Sequence, residues 1–402
     1  MVESPTYNFS TSLSTSLAQP FGIRFLGMDV AGLGILTSIQ LGFVGLGAFF
    51  GDLIINKYRF NRKAFWTIFG AINRVGWASI ILTTIFPGET RIPIFYILIA
   101  ISQFSGAVAG IAAGDIGGDL VDRERAPRFF GFLSSINNVA ALASLIISTV
   151  LFILAGGGSY YAYLLLYIIS LVSAVISTIF LIMIKDDPEV VRVFKTSLIK
   201  YRSTSLNIYR ELLLGINTKN YVLVIVLYTA SVNIPASLWN YYLIYGIGGD
   251  EVWITAKTAT TYMVKAIMLH IWPIYIQRYG IRRIFIVSLI AISPIPLIFM
   301  LARNFALQIM LEIYSAIWWS SWDLCTGLYN LYLLPREKRA SMLAVITLAT
   351  NMSASISSLT GSVIASTLSP YGAETTFIIS SLSRLVIALT AYRSMPSLNL
   401  RS

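Results

Sequence analysis

The chain is poor in cysteine, histidine and charge. Its 402 residues include one cysteine, Cys325, and one histidine, His270, which excludes an intrachain disulfide and a Cys/His metal site. Charged residues make up 12% of the chain, about half the share of a soluble globular domain, whereas 56% are hydrophobic. The sequence also lacks the Gly-x₄-Gly-Lys-Ser/Thr loop that binds nucleotide phosphates. We therefore expect no metal, no cofactor and no direct use of ATP.

Apolar stretches long enough to cross a membrane fill most of the sequence. A helix needs roughly 20 apolar residues to cross the hydrocarbon core of a bilayer. The first residues, 1–5, lack the basic and apolar regions of a cleavable signal peptide. The sequence thus predicts an all-α membrane protein whose apolar surface faces lipid. We predict twelve spans, at 7–26, 29–56, 64–86, 91–118, 129–154, 160–184, 221–246, 252–276, 282–301, 304–333, 341–367 and 372–393.

The basic residues lie almost entirely on one side of these spans. Twenty-two of the 29 lysines and arginines fall in alternate connections and at the C-terminus, while three fall in the others and four within spans. Basic loops stay in the cytoplasm, so we predict a multi-pass protein of the cell membrane with both termini cytoplasmic. The net charge of +11 is then a signal of orientation, and we expect no binding of nucleic acid.

Weak internal repeats share a nearly constant offset. The basic segments 123–125 and 336–338 are separated by 213 residues, as are Gly114 and Gly327. Asn137 and Asn351 are separated by 214, and Pro20 and Pro235 by 215. This order predicts two six-helix halves, 1–184 and 220–402, joined by a basic cytoplasmic linker at 185–219.

A sequence motif near span 2 adds to this pattern. Gly47, Gly51 and Asp52 are followed by the basic residues of 57–63, and a second basic segment, 277–283, occupies the corresponding place after span 8. The chain resembles the major facilitator superfamily, whose members carry such a motif and bind substrate between two six-helix halves. The resemblance implies twelve transmembrane helices in two pseudo-symmetric six-helix bundles.

The resemblance also implies a function. It is secondary active transport of a small solute by alternating access, performed by a monomer whose partners are that solute and the lipid bilayer. A polytopic channel, a lipid scramblase or a receptor without transport activity is the alternative. A membrane-embedded enzyme is less favoured, because one histidine and one cysteine leave no catalytic cluster.

Charges at the cytoplasmic ends of helices are candidates for gating. A carboxylate there can pair with an arginine or with a helix N-terminus and so favour one conformation. In the resembled family such a network holds the outward-facing state, whereas the alternative is ordinary interfacial charge. The candidate gating residues are Asp52, Arg59, Arg62, Asp119, Asp122, Arg278 and Arg282.

Charges within spans are costly and should face a partner or a cavity. Lys265 and Asp323 each lie thirteen residues before a cytoplasmic arginine, so we predict that they pair or jointly face the cavity. Glu312 lies three helical turns from Asp323 on the same face, at about the depth of Lys257.

In the first half, similar depths predict a pair between Arg74 and Asp115. Proton coupling stays open as an alternative, with Asp115, Glu312 and Asp323 as the candidate ion-coupling carboxylates.

Polar and aromatic residues at helical spacing predict the substrate cavity. The alternative for such residues is hydrogen bonding between helices. Pro20 and Pro235 are expected to bend their helices and leave carbonyls open to the cavity. The candidate cavity residues are Asn8, Thr11, Gln19, Asn137, Asn233, Trp239, Asn240, Tyr241, Lys265, Trp322, Asp323 and Asn351.

Overall fold

A computed structural model describes residues 3–57, 62–120, 126–184, 215–335 and 338–397. Within these ranges the chain is helical and contains no β-strand. The α-helices are α1 Glu3–Phe25, α2 Val30–Lys57, α3 Arg62–Ala78, α4 Gly88–Leu120, α5 Ala126–Leu154, α6 Tyr160–Met183, α7 Ile216–Asn233, α8 Trp239–Tyr242, α9 Glu251–Tyr279, α10 Ile281–Ile292, α11 Ile295–Leu301, α12 Phe305–Leu333, α13 Arg339–Thr367 and α14 Gly372–Ser394.

These helices form twelve rods in the described part of the chain. A 3₁₀ segment, Ser79–Ile85, continues α3. The seventh rod joins α7, α8 and a π-helical turn, Leu243–Ile247, and the ninth rod joins α10 and α11. The twelve predicted spans are confirmed. The seventh rod begins at Ile216, inside the predicted linker, and residues 185–214 of that linker lie outside the described ranges.

Eight rods are long and apolar enough to cross a membrane by length and composition alone. The four that are not are α1, the seventh rod, α9 and α12. The sequence explains each case: serine and threonine fill α1, the seventh rod is interrupted, and α9 and α12 carry charges such as Lys257 and Glu312. Polar groups in a membrane helix belong inside the bundle, so these four rods are the natural walls of a polar site.

The rods pack as two halves, α1–α6 and α7–α14. Within the first half, α1 contacts α5 and α6, and α4 contacts α2 and α3. Within the second, α12 contacts α9 and α10, and α7 contacts α13 and α14. The halves meet along two long contacts, α2 against α13 and α5 against α9. In the first of these the Ser38 and Ser355 hydroxyl oxygens are 2.6 Å apart.

The interruption of the seventh rod follows from Pro235. Proline lacks an N–H and cannot continue a helix ladder, and α7 ends two residues before it, at Asn233. Turns then lead to α8 through hydrogen bonds from Ala236 N to Asn233 O and from Leu238 N to Pro235 O. Gly361 of α13 packs directly on the Ile234 carbonyl, where a Cβ has no room. Pro20, in contrast, lies within an unbroken α1, so only the second expected bend is a break.

Alternation of the rods gives the molecule two ends. The basic end carries the connections near 57–62, 120–126, 279–281 and 333–339, and the opposite end those near 25–30, 154–160, 247–251 and 301–305. These two names are used below.

Candidate functional site

A cavity of about 270 Å³ lies within the second half, between the seventh rod, α9, α11, α12 and α14. Its polar wall is formed by Asn240, Lys257, Thr258, Glu312, Ser315 and Arg384. Its apolar wall includes Trp239, Phe299 and Trp319. Apolar walls with a few converging polar groups are typical of ligand sites.

Lys257 occupies the centre of the polar wall. Its Nζ donates a hydrogen bond to Gln308 Oε1 at 2.8 Å and lies 3.8 Å from Glu312 Oε2. The same ammonium lies 4.6 Å from the centre of the Phe299 ring, a cation–π contact. Thr261, one turn along α9, donates to Glu312 Oε1. The charges of Lys257 and Glu312 thus compensate each other inside the bundle. Their proximity agrees with the similar depth predicted for them from the sequence.

A second ion pair continues this face toward the basic end. Lys265 Nζ lies 2.7 Å from Asp323 Oδ2, so the predicted pair is confirmed. Side-chain exposure rises along both helices, from 13% at Lys257 to 26% at Lys265 and from 22% at Glu312 to 50% at Asp323. Gly327, one turn further, is exposed with open space beside it. The face of α9 and α12 that lines the cavity therefore becomes more exposed toward the basic end.

The opposite end is closed by contacts between the halves. Arg24 Nε, at the end of α1, donates to Glu251 Oε1 at the start of α9, at 2.9 Å. The Tyr163 hydroxyl also donates to Glu251 Oε1, at 3.2 Å, and the carboxylate is 1% exposed. Nearby, Thr149 Oγ1 of α5 donates to Thr255 Oγ1 of α9 at 2.8 Å. A buried carboxylate held by a cation and a hydroxyl from the other half is a lock on this end.

The side chains of the predicted polar stripe of α1 are less buried than those of its apolar stripe. Asn8, Thr11 and Gln19 are half-buried, whereas Leu13 and Leu17 are fully buried. Asn8 and Thr11 donate to carbonyls of their own helix. Gln19 does more, because it accepts from Asn240 Nδ2 at 2.8 Å and donates to Thr37 Oγ1 at 3.1 Å. Gln19 therefore joins the first half to the cavity wall.

The predicted aromatic residues separate into two groups. Trp239 lines the cavity, with its ring 4.8 Å from Phe299. Tyr241 packs on Tyr245 outside the cavity lining. Trp322 also lies outside the lining, stacked 5.0 Å from Tyr228 and 5.3 Å from Phe285. Its indole is clamped between α7 and α10, and Trp319, one turn nearer the opposite end, takes the place in the cavity wall.

The remaining predicted asparagines do not line the cavity. Asn233 and Asn351 each donate to a carbonyl one turn earlier in their own helix, at Thr229 and Thr347. Asn351 also packs on α2 beside Gly45. Asn137 is half-buried on α5, and its side-chain oxygen is buried without a partner among the described residues.

The candidate gating residues are only partly described. Asp52 accepts a hydrogen bond from Ser341 at 3.2 Å, which links α2 to α13 at the basic end. Arg282 donates to the Tyr392 carbonyl at 2.7 Å, and Arg278 stacks on Tyr279. Arg59 and Asp122 lie outside the described residues, as do the side chains of Arg62, Asp115 and Asp119.

The predicted partner of Arg74 is wrong. Arg74 pairs with Glu3 of α1 and donates to the Ser177 hydroxyl of α6 at 3.2 Å. Its neighbour Asn73 donates to the Ser102 carbonyl, which sets the register of α3 against α4. Asp115 lies thirteen residues beyond Ser102, about 20 Å along the helix, and therefore lies far from Arg74.

Three features escaped the sequence prediction: the Arg24–Glu251 pair between the halves, the Glu3 partner of Arg74, and the place of Arg384 in the cavity wall. A signal existed for the lock, because Arg24 is one of three basic residues on the charge-poor side and an acidic residue begins span 8 on that side. Arg384 was visible as a charge within span 12 but had no predicted partner.

Solved membrane transporters share this architecture over nearly the whole chain. A D-xylose–proton symporter is 13% identical, with 98% of this chain and 96% of that chain covered and a TM-score of 0.75. A mutant of the nucleoside transporter NupG is 15% identical, with 98% of each chain covered and a TM-score of 0.74. A POT family transporter in complex with 5-aminolevulinic acid is 13% identical, with 97% and 93% covered and a TM-score of 0.70.

The chain has the major facilitator fold. At the level of sequence, no protein-family profile and no curated protein matches it. The predicted fold class, with twelve helices in two pseudo-symmetric halves, is confirmed, and the identities of 12–15% with the solved transporters show the fold alone.

Proposed function

We propose that the protein is a secondary active transporter that moves a small solute across the membrane by alternating access. The observation that carries this proposal is a cavity with charged walls inside an apolar bundle, with contacts between the halves at the opposite end and side chains of increasing exposure toward the basic end. Lys257, Glu312 and Arg384 would be costly in a bundle without a polar ligand or water to face. A carrier needs such a site, together with a seal that closes one side at a time.

The seal is built at the junction of the two halves. Arg24 and Tyr163 of the first half hold Glu251 of the second, and their separation would open the opposite end. Asp52 and Ser341 join the halves at the basic end. We assign the moving units to 1–184 and 220–402, with the segment 185–219 as the linker between them. Solved proteins of the same fold include a D-xylose–proton symporter and a nucleoside transporter, which is in keeping with a transport function.

Orientation follows from the charge distribution. The connections at the basic end carry most of the lysines and arginines, which favours a cytoplasmic location for that end and for both termini. In the cell membrane the structure then corresponds to an inward-facing state of a monomer. A cysteine-accessibility assay on a C-terminal tag in intact cells checks this orientation, and labelling of the tag from outside would contradict it.

Glu312 is our candidate for proton coupling among the described carboxylates. It faces the cavity, contacts Lys257 and Thr261, and lies within the span region, where a change in its charge alters the balance of the whole polar wall. A similar fold in a D-xylose–proton symporter is in keeping with this role.

The test is flux through the purified protein in proteoliposomes. A solute screen by thermal stabilisation supplies ligands, since a molecule that binds the native state raises the unfolding midpoint. Uptake of such a ligand should saturate with concentration and should exceed equilibrium when a pH gradient is imposed. Non-saturable flux would indicate a channel, and exchange of labelled lipid between leaflets would indicate a scramblase; either result refutes the carrier.

A further inference from the structure

Arg384 is a buried cation without a charged partner in the described part of the chain. It lies on α14, is 1% exposed and contributes to the cavity wall. None of the described carboxylates lies within ion-pair distance of it. A buried charge is ordinarily compensated, because its removal from water costs several kcal/mol.

The hydrogen bonds of Arg384 leave most of its donors free. Nη1 donates to the Ile292 carbonyl at 3.4 Å and Nη2 to the Val232 carbonyl at 3.2 Å, both at the long limit for such bonds. These carbonyls belong to the last turns of α10 and α7, so the guanidinium supports two helix ends. A guanidinium has five N–H donors, and Nε has no partner among the described residues. The support of helix ends therefore engages part of the side chain, and the partial negative charge of those ends offsets part of its positive charge. None of the described carboxylates supplies the rest.

The first half contains a matched arginine whose charge is compensated. Arg74 lies between α1, α3 and α6, and Arg384 lies between the seventh, ninth and twelfth rods, which are their counterparts in the second half. Arg74 has the carboxylate of Glu3, and it is absent from the cavity lining. The two sites differ in how the charge of the arginine is compensated. Arg74 pairs with a carboxylate of the protein, whereas Arg384 faces a cavity.

The remaining charges of the cavity cancel. Lys257 and Glu312 lie 3.8 Å apart and sum to zero, which leaves the single positive charge of Arg384. One fixed positive charge calls for one negative charge on the ligand. The apolar part of the lining, which includes Trp239, Phe299 and Trp319, suits an apolar or aromatic body.

We propose that the cavity binds a small organic monoanion, a monocarboxylate with an apolar or aromatic body, whose carboxylate pairs with Arg384. The planar guanidinium presents parallel N–H groups that match a carboxylate. This inference rests on the proposed function in one respect, namely that the cavity is the substrate site, and it names the class of substrate.

The test compares acids with their neutral isosteres on the purified full-length protein. Phenylacetate and hexanoate are titrated against phenylacetamide and hexanamide, with the thermal unfolding midpoint as the readout. We expect saturable stabilisation by at least one acid and an apparent affinity about 30-fold or more lower for its amide, as the loss of a buried charged partner predicts. Equal stabilisation by acid and amide, or stabilisation by sugars or nucleosides but by neither acid, would overturn the proposal.

Variants locate the charge that is recognised. Arg384→Gln should remove the preference for acid over amide, and Arg384→Lys should retain part of it, because an ammonium keeps the charge without the planar fork. Arg74→Gln is the matched control and should leave the preference unchanged. A preference that survives in Arg384→Gln refutes the assignment. If that variant does not fold, the wild-type and Arg384→Lys titrations decide.

The same ligands separate this inference from the proposed function. An acid that binds through Arg384 but is never accumulated in proteoliposomes would refute the carrier and leave the anion site standing. Gradient-driven uptake of another solute, together with no binding of either acid, would support the carrier and refute the anion site.

Discussion

Removal of Arg24 should open the opposite end of the molecule. Arg24→Met leaves the buried carboxylate of Glu251 with the Tyr163 hydroxyl as its described partner, whereas separation of the halves would return the carboxylate to water. Breaking a fully buried pair costs about 3–5 kcal/mol, and exposed pairs contribute about 1 kcal/mol or less. Since Glu251 is 1% exposed and Arg24 35%, we expect an intermediate shift of about 2 kcal/mol. That shift raises the population open at this end about 30-fold.

Labelling of an introduced cysteine can measure this opening. Cys325, its single cysteine, is buried, so a cysteine introduced at Thr255 can be labelled selectively. Thr255 is fully buried at the contact between α5 and α9. When opening and closing are fast relative to labelling, the rate follows the open population. Labelling of Thr255→Cys by a charged maleimide should therefore be about 30-fold faster in the Arg24→Met background.

Two controls define the result. Arg91→Met removes another cation at the same end whose described bond is to the Phe86 carbonyl of its own half, and it should leave the labelling rate unchanged. Glu251→Gln keeps an acceptor for Arg24 and should accelerate labelling less than Arg24→Met. An unchanged rate in Arg24→Met, or equal acceleration by Arg91→Met, would refute the lock.

Three further outcomes follow from contacts described above. Neutralising Lys265 and Asp323 together should destabilise the protein less than the sum of the single changes, by up to about 1 kcal/mol in thermal unfolding, and strict additivity would contradict the pair. Gly361→Ala should lower stability by about 1–3 kcal/mol because its Cβ meets backbone, whereas Gly110→Ala, which meets nothing, should not; equal midpoints would contradict the packing. Glu312→Gln should abolish accumulation driven by a pH gradient yet preserve exchange of ligand across proteoliposomes, and retained accumulation would exclude this carboxylate as the coupling site.

Local patterns in the sequence were sufficient to predict the rods and one ion pair. Hydropathy and the alternation of basic loops depend on residues close in the chain, and they give the number of the spans correctly. Lys265 and Asp323 were found because α9 and α12 are of equal length and run in the same direction, so counting residues from the basic end measures depth reliably.

The same counting failed where helices differ in length. Arg74 was paired with Asp115 on the assumption that spans 3 and 4 end at the same level, but α4 is 33 residues long. The true partner, Glu3, comes from α1, and its approach depends on how three helices pack. Contacts between halves, such as that of Arg24 with Glu251, 227 residues apart, depend on the conformational state and leave no periodic signal.

Depth along the membrane also separates two of the three tryptophans of α12. Trp319 and Trp322 are equivalent as a sequence motif. The positions of Tyr228 and Phe285 on neighbouring rods decide that Trp322 is enclosed and Trp319 is in the cavity wall. The sequence pointed to α12 but to a ring one turn away from the one in the cavity wall.

The cavity walls come from one half of the molecule, and this has an energetic consequence. In the proposed transport cycle, a ligand held by the second half alone keeps the same contacts when the halves move, so we expect it to bind the inward- and outward-facing forms with nearly equal affinity. A ligand that binds both forms equally well does not bias the choice between them. A bound ligand can then influence the relative movement of the halves only through a group that contacts both of them. Asn240 lines the cavity and donates a hydrogen bond to Gln19 of the first half, so this bond is the contact through which occupancy of the cavity would affect the other half.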